Sequence, residues 1–258
     1  QNRDGSIRQW EWDANLMGEV ASFCRKRQAI CHKAEPVPQI GLVYSGKAFY
    51  RTAHKVFSAY HGEQDALKGI LQSLLDSQNS VEIVMEHHLA ETIDSYPLIV
   101  FPEWSYIEPS FKTLLLDYVK NGGNLLIVGP AAAKLFEREL GVTFNGAPEK
   151  KINGLSYKDW FAGLETMSQK ITPDTGAVPF GRMYENTRND MTGLYTPAAT
   201  IRRLGKGTIA ATYLNLGECY LIARTSVARD FLNGLVREIF PDPLVEVYGS
   251  RTVDVQVN

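Results

Sequence analysis

The chain has 258 residues, 44% of them hydrophobic, with a formal net charge of −2 and an isoelectric point near 6.3. That is long enough for one large domain or two small ones, each with its own core. The balance excludes the basic footprint of a nucleic-acid binder, since Arg25-Lys26-Arg27 and Arg202-Arg203 are too short to supply one, and no run of about 20 apolar residues is present to span a membrane as a helix.

Residues 1–38 read as a polar lead-in. Trp10, Trp12, Leu16, Val20 and Phe23 have helical spacing, with Arg25 to Arg27 near the helix end, where cations are favoured, before Pro36 and Pro38 break the chain. This helix is expected to pack against the domain or against a neighbour, with sugar stacking by Trp10 and Trp12 the lesser reading. Of the three cysteines, Cys24 and Cys31 lie here and Cys219 far away. They lack the paired spacing of a zinc site or redox motif and read as structural thiols, with a Cys24–Cys31 disulfide as the alternative.

The first core strand is 39–45, apolar and ending in Tyr44, Ser45 and Gly46, a glycine that suggests a tight turn or close backbone approach. Residues 47–61 are aromatic and basic, including His54, Phe57 and Tyr60, and read as a loop with a helical turn. Ala66, Leu67, Ile70, Leu71, Leu74 and Leu75 then line one face of a helix over 63–78. A second strand over 80–88 ends in Glu86, His87 and His88. Adjacent histidines on an extended segment point to opposite sides, so no metal site is expected.

The run Leu98-Ile-Val-Phe101 does not alternate, as befits a parallel strand buried on both faces. It stops in Pro102-Glu103-Trp104-Ser105-Tyr106, at the carboxyl edge where open α/β sheets bind ligands. Ser110 is the expected N-cap of a helix over 111–121, with Phe111, Leu114, Leu115, Tyr118 and Val119 as its stripe and Gly122-Gly123 as its stop. Residues 124–128 are the next strand, running into Gly129-Pro130-Ala131. Alternating strands and helices over 39–130 predict a doubly wound, mostly parallel sheet with helices on both faces.

A short helix over 131–140 follows. The stretch 141–197, rich in Gly, Pro, Thr and Asn, reads as an irregular excursion with a few short strands. Around Gly205-Lys206-Gly207 the sequence signals a hairpin; the spacing of a phosphate-binding loop is missing. Residues 223–240 read as an amphipathic helix ended by Pro241 and Pro243, and 244–257 as strands of a small C-terminal β element. The start at Gln1 and the alternating pattern of the last residues suggest a piece of something longer. The expected division is 1–38 lead-in, 39–243 α/β domain and 244–258 start of a β element.

Several of these stretches together resemble a known family. They are the strand ending in Tyr44-Ser45, the Ala66-Leu67 helix, Tyr96-Pro-Leu-Ile-Val-Phe-Pro102, Tyr118-Val-Lys-Asn-Gly-Gly123 with its strand, and the late Gly205-Lys-Gly-Thr208 hairpin. The chain is similar, over roughly 39–240, to the glutamine-amidotransferase-like domain of multidomain glycoside hydrolases. The nearest likeness is to the trimerisation domain that follows the catalytic barrel in certain bacterial beta-galactosidases. The resemblance implies a flavodoxin-like fold, a role in homo-oligomer assembly, and a position bordering the sugar site of a neighbouring barrel. It also implies barrel and β-sandwich domains of the same parent chain as partners.

Glutaminase chemistry needs a cysteine on a strand-to-helix elbow, activated by a histidine. Here the elbow carries Gly129, Pro130 and Ala131, and no histidine follows His88. Glycoside hydrolysis needs two carboxylates about 5 to 10 Å apart; Glu86 and Glu103 are read as ending neighbouring strands, while the resemblance puts the catalytic pair in a barrel. The expectation is therefore a non-catalytic edge for a ligand, such as a carbohydrate, or for an interface, formed by Tyr44, Ser45, Glu86, His87, Glu103, Trp104 and Tyr106. No cofactor is expected.

Overall fold

A computed structural model describes residues 4, 11–52, 64–185, 193–249 and 253–258. Trp10, the Trp12 side chain and the segment carrying His54, Phe57 and Tyr60 lie outside the described residues. Two compact units emerge, Gln1–Val37 with Asn258, and Pro38–Val257.

The first unit contains one long helix, α1 (Glu11–Cys31). Leu16, Val20 and Phe23 are exposed on it. The basic run stops short of the helix end, whose last turn holds no cation. Cys24 and Cys31 are free thiols. Seven residues of helix separate them by about 10 Å along the axis, beyond the reach of a disulfide.

In the second unit the described elements are β1 (Ile40–Tyr44), α2 (Gly46–Thr52), α3 (Asp65–Leu75), β2 (Val81–Met85), α4 (Glu86–Thr92), β3 (Leu98–Phe101), α5 (Pro109–Asn121), β4 (Asn124–Ile127), α6 (Pro130–Lys134) and α7 (Glu137–Leu140). They continue with β5 (Val142–Tyr157), β6 (Trp160–Pro173), β7 (Ala177–Tyr184), β8 (Tyr195–Leu204), β9 (Gly207–Thr212), α8 (Leu216–Ala223) and α9 (Ser226–Ile239). Among the described residues nine strands form one sheet in the order β2-β1-β3-β4-β9-β8-β7-β5-β6. The pairings from β2 through β9 are parallel. Those from β9 to β6 are antiparallel.

Residues alternate between two cores along the central strands. Leu98 and Val100, with Leu126 and Val128, face one core together with Leu67, Ile70, Leu216, Phe231 and Leu235 of α3, α8 and α9. Ile99 and Phe101, with Leu125 and Ile127, face the other, built on Leu89 of α4, Phe111 and Leu115 of α5 and Phe136. Both faces of these strands are therefore covered, which is why their sequence shows no polar alternation. Helices α3 and α8 cross at two glycines. A Cβ on Gly69 would lie 1.8 Å from the Gly217 carbonyl oxygen, and one on Gly217 2.2 Å from that of Ala66.

Several sequence expectations need correction. Residues 86–88 open α4 instead of ending a strand, so His87 and His88 sit side by side with ring centroids 4.0 Å apart. Gly46 starts α2 with no close neighbour. Helix α5 begins at Pro109 with Glu108 at the cap position, not Ser110, because proline's fixed φ and missing N–H suit the first helical turn. The stretch 141–197 is dominated by three long antiparallel strands, β5 to β7. Their pattern was hidden because much of β5 is exposed and its ladder breaks at a bulge between Asn145 and Glu149. The helix expected over 223–240 is α9, and a further helix, α8, precedes it where the sequence reading has none. The described residues of 244–258 form no strand; their alternation needs a neighbouring ladder, and the backbone instead meets isolated side chains, Leu244 N–H on Gln39 and Val257 N–H on Ser80.

Candidate functional site

The carboxyl ends of the parallel strands gather most of the singled-out residues, but they are put to different uses. Ser45, after β1, is fully buried and caps α2: its Oγ accepts the Ala48 N–H at 3.0 Å. Tyr44 packs edge-on against Trp104 at 5.8 Å. Trp104 is only 6% exposed, and its indole N–H donates to the Val43 carbonyl at 2.9 Å. Its area and its single donor are thus both spent inside the domain.

Glu103 turns to the opposite core. Its Oε1 accepts the Gly217 N–H at 2.6 Å, in the first turn of α8. Burial pushes the carboxyl up to about 8, against the lowering effect of that hydrogen bond and with a further push from the Glu218 carboxylate. Its stem closes over the elbow: a Cβ on Gly129, whose φ is +93°, would lie 2.8 Å from Glu103 Cγ and 2.7 Å from Asn215 Oδ1. Only glycine fits there. The Gly129 N–H donates to buried Thr212 Oγ1 at 3.2 Å, and Pro130 is the first residue of α6. Ala131 follows it, exposed. Sequence reasoning picked out Gly129 but missed Thr212, Asn215 and Gly217, which reach the elbow from residues more than 80 positions later.

Glu86 and Glu103 are not on neighbouring strands, which corrects the sequence reading: β1 lies between β2 and β3. Two strand spacings put about 10 Å between the chain ends, and Glu103 is already bound to α8.

Glu86 and His87 instead line an open cleft of about 580 Å³ with Lys47, Tyr50, Glu108 and Phe111, between α2, α4 and α5. Lys47 pairs with Glu108 at 3.1 Å, the Tyr106 hydroxyl donates to Glu108 at 3.0 Å, and the Arg51 guanidinium lies 3.6 Å over the Tyr106 ring. The Lys47 and Tyr106 hydrogen bonds hold the Glu108 carboxyl below the usual range. Glu86 Oε1 is buried without a partner. Cys219, the remaining cysteine, is buried, and burial with the Glu103, Glu218 and Glu165 carboxylates pushes its thiol up, away from the reactive thiolate. No group of three or more metal-ligating side chains occurs among the described residues.

The fold recurs in glycoside hydrolases. A catalytic mutant of a GH42 beta-galactosidase from G. stearothermophilus matches with a TM-score of 0.67 at 17% identity, over 94% of this chain and 36% of that one. An alpha-L-fucosidase, isoenzyme 2 from Paenibacillus thiaminolyticus, matches at 0.64 and 14% identity, over 90% of this chain and 37% of that one. The chain thus spans little more than a third of these enzymes. A cytoplasmic protein from Salmonella typhimurium LT2 matches at 0.53 and 14% identity, over 78% of this chain and 99% of that one. No family model matches the sequence, and no curated protein does. No described helix is long and apolar enough to cross a membrane.

Proposed function

We propose that this chain is a non-catalytic assembly and accessory domain of a longer carbohydrate-active enzyme, comparable to the trimerisation domain of beta-galactosidases. The parallel order β2-β1-β3-β4-β9 supports a flavodoxin-like description of that half. The observation that carries the reading is the likeness of 94% of this chain to only 36% of a GH42 enzyme, which is what one domain of a multidomain hydrolase would give. The elbow agrees: proline and alanine follow Gly129, and the nearest carboxylate, Glu103, is occupied in capping α8. Barrel and β-sandwich domains of the same parent and further copies of the chain are its proposed partners, with the cleft at Glu86, His87 and Tyr50 bordering a neighbour's sugar site. Light scattering of this chain beside its intact parent tests the assembly role. Oligomers in the parent are expected; monomers in both overturn it.

A second reading, a free-standing small-molecule hydrolase or a degenerate relative of the class I amidotransferases, is favoured by the match to essentially the whole of a Salmonella protein. The parent open reading frame decides between them: an upstream barrel of about 250 or more residues supports the first reading, and a start codon just before Gln1 supports the second.

A further inference from the structure

The antiparallel half holds a cavity of about 220 Å³ that the carboxyl edge does not share. Its floor is Asn153, 1% exposed. The Asn153 amide nitrogen donates to the Lys151 carbonyl at 3.1 Å and to Ser168 Oγ at 3.0 Å, while its Oδ1 is buried and accepts nothing. A buried amide oxygen without a donor is costly and rare. One wall is the bulge in β5 between Asn145 and Glu149, a type of irregularity that re-aims groups beside binding sites. It is held in shape by Gln169, 2% exposed, whose amide donates to the carbonyls of Asn145 at 2.9 Å and Gly146 at 3.4 Å. At the rim Lys151 pairs with Glu149 at 2.9 Å and Glu185 at 3.5 Å, and Lys170 also pairs with Glu185.

We propose that this cavity binds a small neutral polyhydroxy molecule of about one sugar ring in size. The space equals that of about seven waters. A hydroxyl can donate to Asn153 Oδ1 or to a rim carboxylate and also accept from an ammonium group, so several hydroxyls on one ring satisfy the polar lining, while Met183 can face a ring C–H surface. An anion would face Asn153 Oδ1 and two carboxylates, and a metal ion would face two ammonium groups. An apolar ligand would leave the polar floor unpaired. The proposal is independent of the assembly role.

The test is a 15N NMR titration of the chain with methyl β-D-galactopyranoside, methyl α-D-mannopyranoside and myo-inositol, with inorganic phosphate as the anionic arm. Saturable shifts of the Asn153 side-chain amide and of the Asn145 and Lys170 backbone amides are expected with at least one polyol. Lys170→Met should weaken that binding about tenfold or more, the loss of one hydrogen bond to a charged donor, while the rest of the spectrum stays native. Asn153→Ala, where it folds, should abolish binding; Lys170→Met serves as the readout if it does not fold. Absence of saturable shifts with all three polyols overturns the proposal, as does binding of phosphate in their place or polyol binding unaltered by Lys170→Met.

Discussion

The two halves of the sheet treat most of their polar groups in opposite ways, with Glu86 Oε1 at the end of β2 the exception in the parallel half. At the carboxyl edge of the parallel half, where an α/β enzyme would keep its machinery, Ser45 caps α2, Trp104 bonds to Val43 and Glu103 caps α8. The antiparallel half, built from less regular sequence, leaves the oxygen of Asn153 unpaired beneath a cavity. The carboxyl edge of a parallel sheet can thus have its polar groups committed to packing and capping. An unsatisfied acceptor is the better pointer to a ligand.

The largest effect that would sharpen this contrast is expected at Trp104. Removal of a buried indole by Trp104→Ala should cost about 4 kcal/mol in urea unfolding; a loss under about 1 kcal/mol would mean that the edge is open and that the indole is free for a ligand. Next comes the support behind Glu103. Gly69→Ala drives a methyl into the Gly217 carbonyl and should cost about 3 kcal/mol by overpacking, read in the same unfolding assay.

A subtler change concerns Glu103 itself. With its pKa raised from 4.5 to about 8, the folded chain keeps a proton that the unfolded chain has released across that window. Its contribution to stability is then full below pH 4.5 and is lost as pH rises to about 8. Glu103→Gln should flatten this part of the stability profile measured by thermal unfolding from pH 4.5 to 8; an unchanged profile would show a carboxylate charged throughout. The smallest effect is expected at the cavity rim. Lys170→Met should alter unfolding stability by less than about 0.5 kcal/mol, because Lys170 is half exposed; a large loss would make the rim a structural support like the parallel edge.

The sequence by itself determined the parallel half. Unbroken apolar runs such as Leu98 to Phe101 are legible because burial on both faces removes every polar position, and helix stripes such as that of α3 announce themselves by period. It also showed that Pro130 and Ala131 cannot supply a nucleophile, because that depends on residue identity alone. Tertiary structure decided the rest. Strand order separated Glu86 from Glu103 by inserting β1 between them. Packing turned Trp104 inward and brought Thr212, Asn215 and Gly217 to the elbow. The Asn153 cavity depends on a bulge and on the antiparallel pairing of β5 with β6 and β7, and no local pattern encodes which buried polar atom will be left without a partner.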